Sequence, residues 1–306
     1  SKLGPAELTA IRDSAGQFSA KPIFVFPTLN SRNLELATPL AREVFVTPYD
    51  EQALTTTIRT VCNELVEASW NALAAPEAAA LKTSLVGFES MMRATARGEQ
   101  VPLDQVSNAC ENIQKGMIDS SIDRWLGALR DHHDSTFRHC MFVCGSLSYF
   151  AHSLGIAGLD LKELTLGGFL HDAGKARVPH AVLDKAGKLD EEEWEIMKSH
   201  VNHSVDILSN EQGLDPRIIA MAAYHHEKLD GTGYPDGLAG AQSNDHVRLT
   251  AIADVCSALI EPRAYRAAMS NEAALELMMG FKGHLDLDLV RRFRSFMLDS
   301  LKSNAA

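Results

Sequence analysis

The residues of this chain best suited to chemistry are its histidines, and they are unevenly placed. All 12 lie from His132 onward, so the first 131 residues contain none. An adjacent pair, His171-Asp172, closes an apolar segment and is followed at once by Ala173, Gly174 and Lys175. His139 stands in "DSTFRHCMFVCG", His200 in "EEEWEIMKSH", and the pair His225-His226 ends the apolar run "IIAMAAY". Asp254 sits in "LTAIADVCSALI" among Ile252, Val255 and Leu259, where a carboxylate without a partner would carry a large desolvation cost. Taken singly, each histidine reads more readily as a satisfied polar or surface residue, Asp254 as a salt-bridge partner and Asp172 as a helix-end residue. Taken together, five imidazoles and two carboxylates form a donor set sufficient for two cations. Mixed nitrogen and oxygen donors without thiolate favour iron or manganese over a structural zinc.

Such donors must be brought together by rigid elements, and helical bundles do this with inward side chains on facing helices. Helical spacing of apolar residues predicts helices over Ser135 to Leu154, Leu161 to Asp172, Asp190 to Ser209, Asp215 to His226, His246 to Ile260 and Asn271 to Phe281. Two starts are marked by residue chemistry: Asp190 with Glu193 has the form of a capping box, and Asp215 caps a helix whose first position is Pro216. A further helical stretch, Pro102 to Arg130, carries Val106, Ile113, Met117, Leu126 and Leu129 and reads as a connector. The expected second domain is therefore an all-α bundle.

The first part of the chain reads differently. "KPIFVFPT" and "REVFVTP" are short β-like runs ended by proline turns, which predicts a small mixed α/β domain. In "LTTTIRTVCNELVEASWNAL", Ile58, Val61, Cys62, Leu65, Val66, Trp70 and Leu73 share one broad helical face that is expected to be buried. Core packing would cover it, and so would a dimer or a signalling helix, so a homodimer stays open. The Ala-rich "NALAAPEAAALK" reads as a break and a helix start, and no internal repeat is present. The expected fold is mainly α, with an N-terminal mixed domain over residues 1–115 and a helical bundle over 116–306.

Composition narrows the partners. The 306 residues, 45% hydrophobic and 23% charged, are enough for two ordinary cores. With 29 basic and 40 acidic residues the formal net charge is -11, which opposes an extended surface for long nucleic acid while leaving room for a local anion pocket. No apolar run spans a bilayer and no secretory signal pattern opens the chain, so the expected location is cytoplasmic. Cys62, Cys110, Cys140, Cys144 and Cys256 are scattered without a CxxC pair and read as reduced thiols without chemistry.

In order along the chain, "HDAGK" (His171 to Lys175), His200, "HHEKLDGTGYP" (His225 to Pro235) and "AIADVCSALIEPRAYR" (Ala251 to Arg266) resemble the HD-GYP domain, the cyclic di-GMP phosphodiesterase branch of the HD superfamily. The resemblance covers about residues 130 to 295 and nothing comparable covers the first 115 or so. Carried over residue by residue, it implies that His139, His171, Asp172 and Asp254 hold one metal. Asp172, as a bridge, would hold the other with His200, His225 and His226. The implied cofactors are two divalent cations, iron in first place and manganese in second. The implied chemistry is attack of a hydroxide held between them on a phosphodiester, opening cyclic di-GMP to linear pGpG and then to GMP. Lys175 resembles the family's phosphate-contacting lysine, and Arg263 and Arg266 match its nucleotide-contacting positions, Arg263 being the preferred of the two. Gly233-Tyr234-Pro235 is the loop that names the family. Tyr234 would offer an aromatic surface to a base or to a partner, and the implied protein partner is a diguanylate cyclase (GGDEF) domain.

Four positions depart from the family pattern. Ser135 replaces a glutamate that recruits a third metal in some members, which predicts a two-metal site. Ser257 stands where a second aspartate is common, Ala173 replaces isoleucine, and Ser204 replaces the glycine usual four residues after His200. The ligand set is whole while part of its surroundings has changed. Two functional readings follow: an active cyclic di-GMP phosphodiesterase, or a catalytically weak or inactive receptor and interaction module in cyclic di-GMP signalling. Hydrolysis of another phosphoester, such as a different cyclic dinucleotide, fits the same metal chemistry.

Overall fold

We describe the chain from a computed structural model covering residues 23–26, 38, 41–118, 121–185, 187–261 and 268–302. By packing it divides into two compact units, residues 1–66 and 67–306. In the first unit, the two apolar runs form strands β1 (Ile23–Phe26) and β2 (Glu43–Val46), paired in parallel with Ile23 opposite Glu43 and Phe26 opposite Val46. Phe24, Phe26 and Phe45 are buried on this small sheet. Helix α1 (Glu51–Ser69) follows, and Arg42 joins it through a bidentate contact with Glu64 at 2.5 and 2.6 Å. Its apolar face is not covered as expected: Ile58 and Leu65 are about half exposed, at 47% and 49%.

The second unit is helical. Its elements are α2 (Ala75–Ala96), α3 (Leu103–Ile118), α4 (Ile122–Leu129), α5 (Ser135–Ser153), α6 (Gly158–Leu170), a tight turn over Ala173–Arg177, α7 (His180–Leu183), α8 (Glu191–Ser209), α9 (Pro216–Tyr224), α10 (Asp245–Ile260), α11 (Asn271–Met278) and α12 (Leu287–Lys302). The starts follow from side-chain chemistry, since the first turn of a helix leaves backbone N–H groups without partners. Asp134 accepts from Thr136 N and Phe137 N to start α5, Asp215 accepts from Arg217 N to start α9, and Asn244 accepts from Val247 N to start α10. The capping box is formed at α8: Asp190 accepts from Glu193 N at 2.9 Å, and Glu193 accepts from Asp190 N at 2.8 Å.

Helix α5 is the axis of the bundle. Phe137, Met141, Cys144 and Leu147 are all buried, and small residues along it let neighbours approach closely. Gly168 of α6 packs onto the Cys144 backbone, where a Cβ would lie only 2.9 Å from the Cys144 Cα. Helix α10 packs on α5, α9 on α6 and α8, and the turn after α6 on α8. The five cysteines are free, and Cys110, Cys140, Cys144 and Cys256 are buried.

Two differences from expectation are structural. The stretch read as one connector is two helices, α3 and α4, both packed within the second unit. Helix α12 was not expected, although Val290, Phe293 and Met297 form a buried stripe along it. Among the described residues no helix is long and apolar enough to cross a membrane.

Candidate metal centre

Five elements deliver the expected donors to one buried place. His139 comes from the first half of α5 and Asp254 from the middle of α10. His171 and Asp172 lie directly after α6, His200 faces inward from α8, and His225 and His226 follow α9. Residues His200, His225 and His226 can direct one ligand atom each to a common point, as can His139, His171 and Asp254, and as can His171, Asp172 and His225. All seven sequence-derived candidates are therefore brought together, with Asp172 between the two sides.

The imidazole orientations are set by their outer nitrogens. Nδ1 of His171 lies 2.8 Å from the Gly168 carbonyl, Nδ1 of His200 lies 2.7 Å from that of Met197, and Nδ1 of His225 lies 3.1 Å from those of Met221 and Ala222. A carbonyl only accepts, so each of these rings donates a proton from Nδ1 and turns its Nε2 inward. Those inner atoms converge on Asp172. Its Oδ2 is 3.3 Å from His139 Nε2 and 3.3 Å from His171 Nε2, and its Oδ1 is 3.3 Å from His200 Nε2 and 3.9 Å from His225 Nε2. Asp254 closes the ring of donors, with Oδ1 3.1 Å from His139 Nε2 and Oδ2 3.6 Å from His226 Nδ1.

This donor set fits divalent cations. Asp172 Oδ1, His200 Nε2 and His225 Nε2 are buried without a hydrogen-bond partner, a state that is costly unless something else engages them. Charge states agree with that. Burial lowers the basicity of His200, takes His225 well below the usual imidazole range and brings His226 to about 3, so these rings are neutral. Burial alone would raise both carboxyls, but for Asp172 the charges of Lys175 and His171 outweigh it, and for Asp254 the contact with His139 does. Both are held well below the ordinary carboxylate range. Neutral imidazoles beside ionised carboxylates are the forms that bind metal.

Local packing holds the donors in place. Lys175 Nζ lies 2.5 Å from Asp172 Oδ2, so the short turn after His171-Asp172 returns a cation to the central carboxylate. Gly174 is required by close approach, because a Cβ there would collide with the His200 carbonyl and the Ser204 backbone nitrogen. The Ser204 hydroxyl accepts from Gly174 N at 2.8 Å and donates to the His171 carbonyl at 3.2 Å, tying this turn to α8. Gly233 likewise lies against the backbone of Glu227 and Lys228 with no room for a side chain.

Tyr234 packs beside the candidate ligands. Its ring is half-buried, 4.8 Å from that of His226 and tilted by 30°, with the Trp194 ring 6.3 Å away and Lys198 Nζ 5.8 Å from its centroid. Arg263 and Arg266 lie outside the described residues. Two acidic residues not singled out from sequence also belong to the surroundings. Glu227 accepts from Asp236 N, Gly237 N and Leu238 N at 2.7, 2.9 and 3.0 Å, pinning the loop that carries Tyr234. Its signal was an acidic residue directly after the histidine pair in a glycine-rich loop. Glu261 lies one helical turn beyond Ser257 and close to His139. A separate group, Asp160, Glu163 and His246, is engaged by Arg217 at 2.9 Å from Asp160 and 2.5 Å from Glu163, which makes it an ion-pair network.

Comparison with known proteins agrees with this geometry. The profile of the family described as HD domain matches residues 117–289. The chain is 29% identical over 205 residues to a cyclic di-GMP phosphodiesterase of Pseudomonas aeruginosa, covering 67% of this chain and 50% of that one. It is 38% identical over 157 residues to a cyclic di-GMP phosphodiesterase response regulator of Xanthomonas campestris, covering 51% and 41%. It is 43% identical over 145 residues to a 3'3'-cGAMP-specific phosphodiesterase of Vibrio cholerae, covering 47% and 31%. The chain thus spans half or less of the length of these curated relatives. Among solved structures, an HDG"Y"P protein of Bdellovibrio bacteriovorus, Bd1817, shares the fold with a TM-score of 0.59 at 18% identity, over 79% of this chain and 80% of that one.

Proposed function

The chain belongs to the HD-domain family, and on that premise we propose that it is a metal-dependent phosphodiesterase acting on a cyclic dinucleotide, with cyclic di-GMP the first choice of substrate. The observation that carries this reading is the inward convergence of the Nε2 atoms of His171, His200 and His225 on Asp172, these three rings being locked from behind by backbone carbonyls. His139, His171, Asp172 and Asp254 would hold one divalent cation, and Asp172, His200, His225 and His226 a second, iron in first place and manganese in second. When bound, such cations supply Lewis-acid chemistry for hydrolysis, activating water and neutralising charge at the phosphoryl oxygens.

This chain's own residues then bind and orient the substrate. Lys175, with Nζ at the central carboxylate, meets a non-bridging phosphoryl oxygen and stabilises the negative charge that grows there. In the reaction the oxygen of water bonds to phosphorus, the bond from phosphorus to the ribose O3′ breaks, and O3′ leaves as a hydroxyl. The product is linear pGpG. The proton that water gives up passes to solvent, and the one that O3′ takes up is held at Lys175 Nζ or comes from solvent. Arg263 and Arg266 are the proposed contacts to the nucleotide, and the functional division at residues 115 and 116 is part of the same proposal.

A second reading of the substrate is favoured by one observation: the Vibrio cholerae relative named for 3'3'-cGAMP is 43% identical over its matched region, above the 29% and 38% of the two relatives named for cyclic di-GMP. The test is an anaerobic incubation of iron- or manganese-loaded protein with each dinucleotide in parallel, products being separated by chromatography and metal counted per chain. Linear product with about two metals per chain is expected, and the faster substrate decides between the two. Asp172→Ala should lose both metal and turnover; turnover retained in that variant overturns the proposal. Two metals with no product from either dinucleotide would transfer the site to a receptor or interaction role.

A further inference from the structure

Among the expected ligands, His139 is held in a way of its own. His171, His200 and His225 each place Nδ1 on a backbone carbonyl, an acceptor that leaves no choice of tautomer. His139 instead reaches across to α10, where Nδ1 lies 2.8 Å from the Ser257 hydroxyl. A hydroxyl both donates and accepts, so Ser257 by itself is compatible with either ring tautomer. If it donated to Nδ1, the proton would sit on Nε2 and His139 could not serve as a ligand.

A second group faces the same nitrogen. Glu261 Oε2 lies 3.8 Å from His139 Nδ1, and its side chain is 6% exposed. A carboxylate only accepts, so its charge favours a proton on Nδ1 and against a lone pair there. Ser257 and Glu261 are four residues apart at the end of α10, which sets them on one face, and the Glu261 N–H donates to the Ser257 carbonyl at 3.0 Å. Arg138 Nε lies 3.5 Å from Glu261 Oε1 and balances the charge of the buried acid. With Nδ1 protonated, Nε2 is the atom left for a cation, and it is aimed between Asp172 Oδ2 at 3.3 Å and Asp254 Oδ1 at 3.1 Å.

We propose that Glu261 is a positioning residue which, beside the Ser257 hydroxyl, fixes His139 in the metal-binding tautomer and so takes over the part that an aspartate at position 257 would play. The inference rests on reading His139 as a metal ligand, and it is tested without any measurement of hydrolysis. In the metal-free full chain, labelled imidazole nitrogens report the tautomer directly by NMR. A proton on Nδ1 of His139 is expected whether or not Nε2 is also protonated, and a bare Nδ1 overturns the proposal even if no variant can be made.

Variants then separate positioning from packing. Glu261→Met removes the acceptor at similar volume and should weaken Mn2+ binding, read by titration, at one of the two positions by about 10- to 100-fold. Adding Ser257→Asp to Glu261→Met returns a carboxylate to the ring and should restore affinity to within about threefold of the parent, the lower bound of that loss being tenfold. Unchanged affinity in Glu261→Met, or no recovery in a folded double variant, overturns the proposal. Absence of phosphodiesterase activity with these results intact would instead count against the proposed reaction alone.

Discussion

At the scale of single residues, the centre is a problem in placing protons. His200, His225 and His226 are kept neutral by burial, so they stand ready for a cation throughout the physiological range. His139 is the exception: burial and the charge of Lys175 oppose its protonation, but contact with Asp172 and Asp254 outweighs them and raises its pKa above the ordinary 6.5. In the metal-free protein this ring adds stability that is present below its unfolded pKa and lost as pH rises through the folded one. A cation needs bare Nε2, so binding must displace that proton wherever pH lies below the folded pKa of His139. Uptake of Mn2+ at pH 6.5, followed with an indicator in weak buffer, should release protons from this group, and affinity should fall as the pH is lowered further. Proton release that is nil at pH 6.5 would contradict this charge assignment.

At the scale of elements, the donors are held less by helices than by the turns between them. His171, Asp172, His225 and His226 all lie just past helix ends, where backbone direction is free to change and must be fixed by other contacts. The turn after α6 is fixed by Gly174 and Ser204 against α8. The loop after α9 is fixed by Glu227, whose carboxylate takes three backbone N–H groups while Tyr234 packs on the His226 ring. Glu227→Ala leaves those three donors without their acceptor, at a cost of about 1–3 kcal/mol for each that stays buried. We expect it to lower the melting temperature and to loosen the position that uses His226, seen as weaker binding of one of two Mn2+ ions. Asp190→Ala is the matching control: losing the cap of α8 should cost about 1 kcal/mol and leave metal content unchanged.

At the scale of the whole molecule, the candidate metal centre draws its residues from α5, α8, α9, α10 and the turn after α6, so metal binding there would be linked to bundle stability. Buried ionised Asp172 and Asp254 are costly to keep together unless cations offset them. A metal held at about 100 times its dissociation constant adds about 2.7 kcal/mol. For a unit of this size that corresponds to roughly 5–10 °C in melting temperature. Chelation should therefore lower the transition by that amount with helical content little changed at 25 °C, as read by circular dichroism, and re-addition of metal should restore it. A transition unmoved by chelation and re-addition would mean that the donors do not share a cation.

What the sequence by itself determined was the helical character of the second unit and which histidines and aspartates are candidate donors. Periodicity of apolar residues and capping chemistry are local properties, which is why the starts of α8 and α9 and the extents of α5 and α10 were legible to within a residue or two. The seven candidate donors came from their residue types and from the resemblance of the motifs that carry them to the HD-GYP domain. Only the tertiary structure decided what surrounds them. The apolar stripe of α12 is plain once its partners on α5 are known, because Phe293 packs edge-on at 5.1 Å against Phe150. That Ser257 faces His139 with Glu261 behind it, that Ser204 bridges to the His171 carbonyl, and that Tyr234 turns inward to His226 are contacts between residues 118, 33 and 8 positions apart. Side-chain orientation across such gaps depends on how helices cross and turns close, and no local pattern of residue types encodes that geometry.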